Sequence, residues 1–251
     1  MNAARARPPL AKFLVTPALV SAIELVVYLY LTNTHVGTPI RQIIEHNLLN
    51  SDVVRTKLIE HLELVGISFV LTLLIGLPLS VLLFMGGRVP RVLMLALAGL
   101  GQAVPSIALL VLVSTYLGLG RAPAVIALVA YALLPVLRNT LVGLESVDPA
   151  AVEAATGMGM TRLQTLLRVQ IPLASPVIMA GLRTALVLII GTATLGNFIG
   201  AGGLGDIIGE GIPAAVIGPR IVLAGAAMAA GLALLADWAM SLVAYVVVPR
   251  T

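Results

Sequence analysis

The run "LASPVIMAGLRTALVLIIGTATL", residues 173–195, carries one charge in 23 residues. Comparable runs cover residues 13–31, 62–85, 92–117, 123–143 and 219–248. An apolar stretch beyond ~18 residues is long enough to cross a bilayer as a helix. In hydrocarbon every backbone N–H and C=O has to be satisfied inside the protein, which leaves only helices and closed barrels as spanning structures. These runs lack the apolar–polar alternation of barrel strands. The sequence therefore predicts an all-α polytopic membrane protein with about six transmembrane helices. Charged residues make up 10% of the chain, against ~25% in soluble domains, too few to clothe it in a solvated surface. The connections are too short to hold a soluble catalytic domain, and the absence of cysteine excludes disulfides and thiolate metal sites.

The run at 13–31 follows Arg5, Arg7 and Lys12. It is longer than the apolar core of a signal peptide, and "TNTH" after it is not a small-x-small cleavage site, so it reads as a retained first span. With the N-terminus inside, the inner side collects Arg5, Arg7, Lys12, Arg88, Arg91, Arg138, Arg162, Arg168 and Arg250. The outer side keeps Arg41, Arg55, Lys57, Arg121 and Arg220. Nine against five is a positive-inside bias, and it places both termini in the cytoplasm. The outer loop at 32–61 holds all three histidines, His35, His46 and His61, at spacings that match no metal motif. They read as solvated loop residues. Ile40, Ile43, Ile44 and Leu48 in that loop give an amphipathic helix suited to a membrane surface. In the last span, Gly225 with Ala229 and Ala226 with Ala230 form small-xxx-small pairs for close helix packing.

One polar segment interrupts the apolar chain on the inner side. Asp148 and Pro149 form a helix start, and an Ala-rich helix follows to about Thr156. Gly157 and Gly159 offer a left-handed exit. Thr161 and Gln164 then have capping-box spacing, ahead of a second helix with Leu163, Leu166 and Leu167 on one face. The result is a cytoplasmic pair of short helices whose first member shows the small side chains Ala154 and Ala155 beside the carboxylate of Glu153. It suits docking into a groove of another protein, or simply caps the bundle.

"EAATGMGMTRLQTLLRVQIP" resembles the EAA motif of binding-protein-dependent ABC importer permeases. That motif is E-A-A, three residues, Gly, nine residues, then I-x-L-P. Glu153, Ala154, Ala155, Gly159 and Pro172 match it, while Val169 and Ile171 are isosteric departures. "YALLPVLRNTLVGLESVDPAAVEAATGMGMT" and "GTATLGNFIGAGGLGDIIGEGI" look like the branch that moves osmoprotectants such as glycine betaine, carnitine and choline. The resemblance spans about residue 60 to the end. It implies a type I (MetI-like) transmembrane fold in a bacterial cytoplasmic membrane. It also implies partner ABC ATPase subunits, a second permease copy or a homologous permease, and an extracytoplasmic binding protein. Residues 1–61 would be an extra transmembrane helix and extracytoplasmic loop, and 62–248 the permease core with coupling helices at 148–171. Glu153, Ala154, Ala155, Gly157, Met158, Gly159, Val169, Ile171 and Pro172 would couple the permease to its ATPase.

The chain contains no G-x-x-x-x-G-K-[ST], so ATP hydrolysis falls to a partner and the permease itself is not an enzyme. Neither H-E-x-x-H nor G-x-S-x-G occurs, and no cofactor or nucleic acid is implied. Gly200, Gly202 and Gly205 fit G-x-G-x-x-G, but they follow a membrane span and not a strand, so no dinucleotide site is inferred. With Gly203 they predict a tight irregular loop at the outer end of the pathway. Polar residues inside spans are candidates for the pathway or its gates: Gln102, Asn139, Arg183, Thr192, Thr194 and Asn197. Arg183 is the costliest of them in lipid, and Glu24 in the first span is an acid of opposite sign. With aromatic residues at 4%, an aromatic cage for quaternary ammonium is not expected in this chain, and selection falls to the binding protein. Rival readings are a permease for another small solute, such as ergothioneine or methionine, and a stand-alone secondary carrier.

Overall fold

The computed structural model describes residues 10–33, 49–213 and 218–248. The described residues form helices and contain no strand: α1 (Leu10–Asn33), α2 (Ser51–Gly86), α3 (Arg88–Ala103), α4 (Ser106–Leu117), α5 (Arg121–Glu145), α6 (Pro149–Gly157), α7 (Arg162–Thr165), α8 (Ile171–Ala193), α9 (Leu204–Gly211) and α10 (Gly218–Val247). A π turn at Leu166–Gln170 joins α7 to α8, and a 3₁₀ turn at Thr194–Ile199 follows α8. By length and composition, α2, α5, the stretch Arg162–Ile199 and α10 are each able to cross a membrane. The pair α3–α4 gives a fifth candidate span, bent by 99° at its break. The bend corrects the continuous helix expected over 92–117. Pro105 has no N–H to continue the ladder and holds Val104 extended at ψ 131.

The core is built around α5, which packs against α2 on one side and α8 on the other. Ala124, Ala132 and Val136 of α5 are fully buried. The apolar character of α2 runs all round the helix, but its small residues gather on the buried side. Its buried stripe is Leu64, Ser68, Thr72, Gly76 and Ser80, four residues apart, while Leu74 and Leu82 point outward at 66% and 65% exposure. Lipid tails solvate leucine as well as a protein interior does, so small residues mark the face where helices meet. Thr72 and Ser80 return their hydroxyls to the carbonyls of Ser68 and Gly76, whereas the buried Ser68 hydroxyl finds no partner within the chain.

Helices α5 and α8 cross closely at Gly181. A methyl group there would lie 2.5 Å from Asn139 Cβ and 2.8 Å from the Pro135 carbonyl oxygen. In α10 the pair Gly225 and Ala229 is buried, with Gly225 against Ile208 of α9, whereas Ala226 and Ala230 face outward.

Helix α2 begins at Ser51, eleven residues before the expected span, and runs unbroken through the residue-61 boundary. His61 is therefore not a solvated loop residue. It is fully buried inside α2, beneath Gly203. His35, His46 and the amphipathic stretch at 40–48 lie outside the described residues.

Candidate functional site

Three features sit along the length of the bundle. At one end is the EAA segment. Asp148 accepts the Ala150 N–H at 2.9 Å and starts α6, with Pro149 in its first turn. Gly159, at φ +85, turns the chain out of the helix, and the Met160 N–H returns to the Ala155 carbonyl at 3.1 Å. Thr161 and Gln164 close a reciprocal capping box at 3.3 and 2.9 Å. These local expectations hold because capping depends on a few adjacent residues.

Two expectations for this segment fail. Ala155 does not present itself to a partner, because it is 1% exposed and faces its own chain. Leu163, Leu166 and Leu167, expected on one face, divide between the two sides of the segment. Leu166 is buried, while Leu163 and Leu167, four residues apart, point outward together at 53% and 54% exposure. Outward from α6 and its C-cap face Glu153, Ala154, Thr156, Gly157 and Met158, the last 72% exposed. Val169, Ile171 and Pro172 are half-buried where the chain rejoins the bundle.

At the other end of α5 lies the glycine loop. Gly200, Gly202 and Gly203 have φ of +71, +82 and +93, a sequence of left-handed positions open to glycine. The loop folds α9 back against the 3₁₀ turn, with Gly205 directly against the Thr194 carbonyl and Gly209 against the Asn197 amide. Ile199, Ala201 and Leu204 are buried, so this is irregular backbone inside protein, and its polar groups find partners. The Ile199 carbonyl accepts the Gly120 N–H at 2.7 Å, and Glu60 accepts the Gly203 N–H at 3.0 Å. Glu60 also takes Lys57 at 3.0 Å. Lys57 reaches Asp206 at 2.7 Å, and Arg121 pairs with Glu63 at 2.8 Å. Sequence reasoning identified the glycines and missed this charge network. Its members lie up to 149 residues apart, and only the fold brings them together.

Between the two ends, Arg183 in α8 makes a two-pronged contact with Asp237 in α10. Nε donates to Oδ1 at 2.8 Å and Nη2 to Oδ2 at 2.6 Å. The partner is Asp237 and not Glu24, whose carboxylate lies against Gly231 of α10. Asp237 was legible in principle as the one acid within the last apolar run. The other polar candidates serve the backbone. Gln102 donates to the Tyr131 carbonyl at 3.0 Å and Asn139 to the Pro135 carbonyl at 2.8 Å. Thr194 bonds back to Gly191 at 2.7 Å. Thr192 is half-buried near the end of α8.

The profile of the family described as "Binding-protein-dependent transport system inner membrane component" matches residues 72–247. The chain belongs to this family of membrane components of binding-protein-dependent transporters. It is 38% identical over 198 residues to the carnitine transport permease protein OpuCD of Listeria monocytogenes, covering 79% of this chain and 88% of that one. It is 39% identical to the osmoprotectant import permease protein OsmW of Salmonella typhimurium, covering 82% and 97%. Among solved structures, an inward-facing MetNI methionine ABC transporter shares the fold at TM-score 0.66 and 24% identity, covering 78% of this chain and 96% of that one.

Proposed function

We propose that this chain is the permease subunit of an ABC importer for osmoprotectants, quaternary amines such as glycine betaine, carnitine or choline. Two permeases, identical or homologous, enclose the path. Two ATPase subunits dock on the cytoplasmic side, and an extracytoplasmic binding protein delivers solute at the glycine-loop end. Both termini lie in the cytoplasm. The chain before α2 contributes the additional helix α1, and the chain from Ser51, where α2 begins, forms the permease core. The names of the relatives support the solute class.

The observation that carries the coupling reading is the exposed face of α6. Glu153, Ala154, Gly157 and Met158 project from a short helix fixed at its start by Asp148 and at its exit by Gly159. A rigid element with small side chains and one protruding methionine fits a partner's cleft. Its attachment to α8 through α7 and the π turn lets movement of the cleft reach the spans. ATP hydrolysis takes place in the partner, and the permease converts the resulting closure into alternating access.

Copurification of the chain with its ATPase, followed by solute-stimulated ATPase activity and uptake of labelled quaternary amines, tests this reading. Uptake by the chain alone, driven by an ion gradient, would establish a secondary carrier instead.

A further inference from the structure

The cleft between α8 and α10 contains a complete guanidinium–carboxylate pair on an open face of the apolar bundle. Arg183 lies one residue past the midpoint of α8, and Asp237 lies ten residues before the end of α10. Each side chain keeps 37% of its surface open. The pair lines a cleft of about 430 Å³ whose other walls are Ala180, Thr184, Val187 and Leu188. Charges at this depth are not left facing lipid, so the cleft opens toward water or a partner subunit.

We propose that the Arg183–Asp237 pair is a transient binding site for a zwitterion, a small solute carrying one carboxylate and one quaternary ammonium. The proposal rests on the osmoprotectant reading and deepens it. The solute's carboxylate replaces Asp237 on the fork of Arg183, and its ammonium lies against the carboxylate that Asp237 thereby frees. Each charge exchanges one partner for another of the same sign, and the site is neutral before and after. An isolated cation satisfies Asp237 but leaves Arg183 unpaired, and an isolated anion does the reverse. Leaving one charge of a half-buried pair without its counter-charge is unfavourable, so the site discriminates by charge pattern. A quaternary ammonium donates no hydrogen bond, and none of these walls is aromatic, so nothing cages it. Loose holding suits a path that has to release what it binds.

The test uses the whole importer, with its ATPase and binding protein, in cells or membrane vesicles. Uptake of labelled glycine betaine, carnitine and choline is measured at saturating solute and normalised to permease in the membrane. Arg183→Gln leaves a lone carboxylate, and the ratio of choline to glycine betaine and carnitine uptake is expected to rise roughly tenfold. Asp237→Asn leaves a lone guanidinium and is expected to move that ratio the other way. The double variant keeps a neutral hydrogen-bonding pair and is expected to insert normally without recovering zwitterion uptake. Equal loss of all three solutes in the single variants, with recovery in the double, identifies a structural clasp and overturns the proposal. If Arg183→Gln fails to insert, Arg183→Lys decides, because it keeps the charge and loses the two-pronged fork. Zwitterion uptake then falls relative to choline if the proposal holds, and an unchanged ratio overturns it. A wild-type importer that moves none of the three solutes defeats the osmoprotectant reading itself, whereas a transporting wild type with unchanged ratios in the variants defeats only this inference.

Discussion

Gln102 donates its side-chain amide to the carbonyl of Tyr131 at 3.0 Å, and that carbonyl lacks its usual helical donor because the residue four positions on is Pro135. The proline removes an N–H from the α5 ladder, and a glutamine one residue before the end of α3 supplies a replacement. The bent pair α3–α4 is thereby fixed to the central helix. Gln102→Leu should leave the carbonyl unpaired in apolar surroundings and destabilise the protein by about 1–3 kcal/mol. Thermal unfolding in detergent would measure it. Pro135→Ala in the same background should recover part of the loss, because alanine restores the donor. A double variant no more stable than Gln102→Leu would break this account.

Gly202 and Glu60 are the corresponding pair at the glycine loop. Gly202 has φ +82, and a methyl group there would lie 2.7 Å from Glu60 Oε2, the same oxygen that accepts Lys57 and the Gly203 N–H. Gly202→Ala should strain the backbone and displace the carboxylate together, at about 1–3 kcal/mol. Glu60→Ala should cost about 1 kcal/mol, since the carboxylate is 24% exposed and partly screened. Limited proteolysis between residues 196 and 212 reads loosening of the loop directly. Equal cleavage of wild type and Gly202→Ala would show that the loop does not depend on this contact.

The crossing at Gly181 sets how closely α5 and α8 approach. Gly181→Ala places a methyl group against Asn139 and the Pro135 carbonyl, and overpacking of this kind costs about 1–3 kcal/mol. Gly191→Ala, on the same helix with nothing within 4 Å of the added methyl, should be close to neutral. Comparing the melting temperatures of the two variants checks both the contact and its specificity.

On the EAA segment, Ala154→Trp should leave the permease abundant in the membrane because the position is exposed, and Gly159→Asp, where an added Cβ meets nothing within 4 Å but φ is +85, should add backbone strain confined to an exposed turn. Both should abolish ATPase capture or solute uptake. Ala155→Trp should instead lower the amount of folded protein, since Ala155 is buried. Glu153→Ala should be mild, as an exposed ion pair contributes about 0–1 kcal/mol. Uptake and pull-down, each normalised to permease level, separate the two classes. Full transport by Ala154→Trp at normal abundance would remove the coupling role from α6.

Composition and run length alone decided that this chain lives in lipid as helices, because a backbone in hydrocarbon has no other way to satisfy its polar groups. Local chemistry settled the Asp148 cap, the Thr161–Gln164 box and the left-handed turn at Gly159, each of which involves neighbours a few residues apart. The EAA spacing is equally local, and it pointed to the family that the comparison over residues 72–247 established. Which face of each span turns inward was not legible, because apolar periodicity carries no signal when the solvent is as apolar as the core. The burial of Ala155 and His61, the bend between α3 and α4, and the partners of Arg183, Glu60 and Gln102 likewise waited for the tertiary structure. Arg183 meets Asp237 across 54 residues and Lys57 meets Asp206 across 149. Neither pairing can be read from the sequence, and only the packing of α2, α8, α9 and α10 brings the opposite charges within reach.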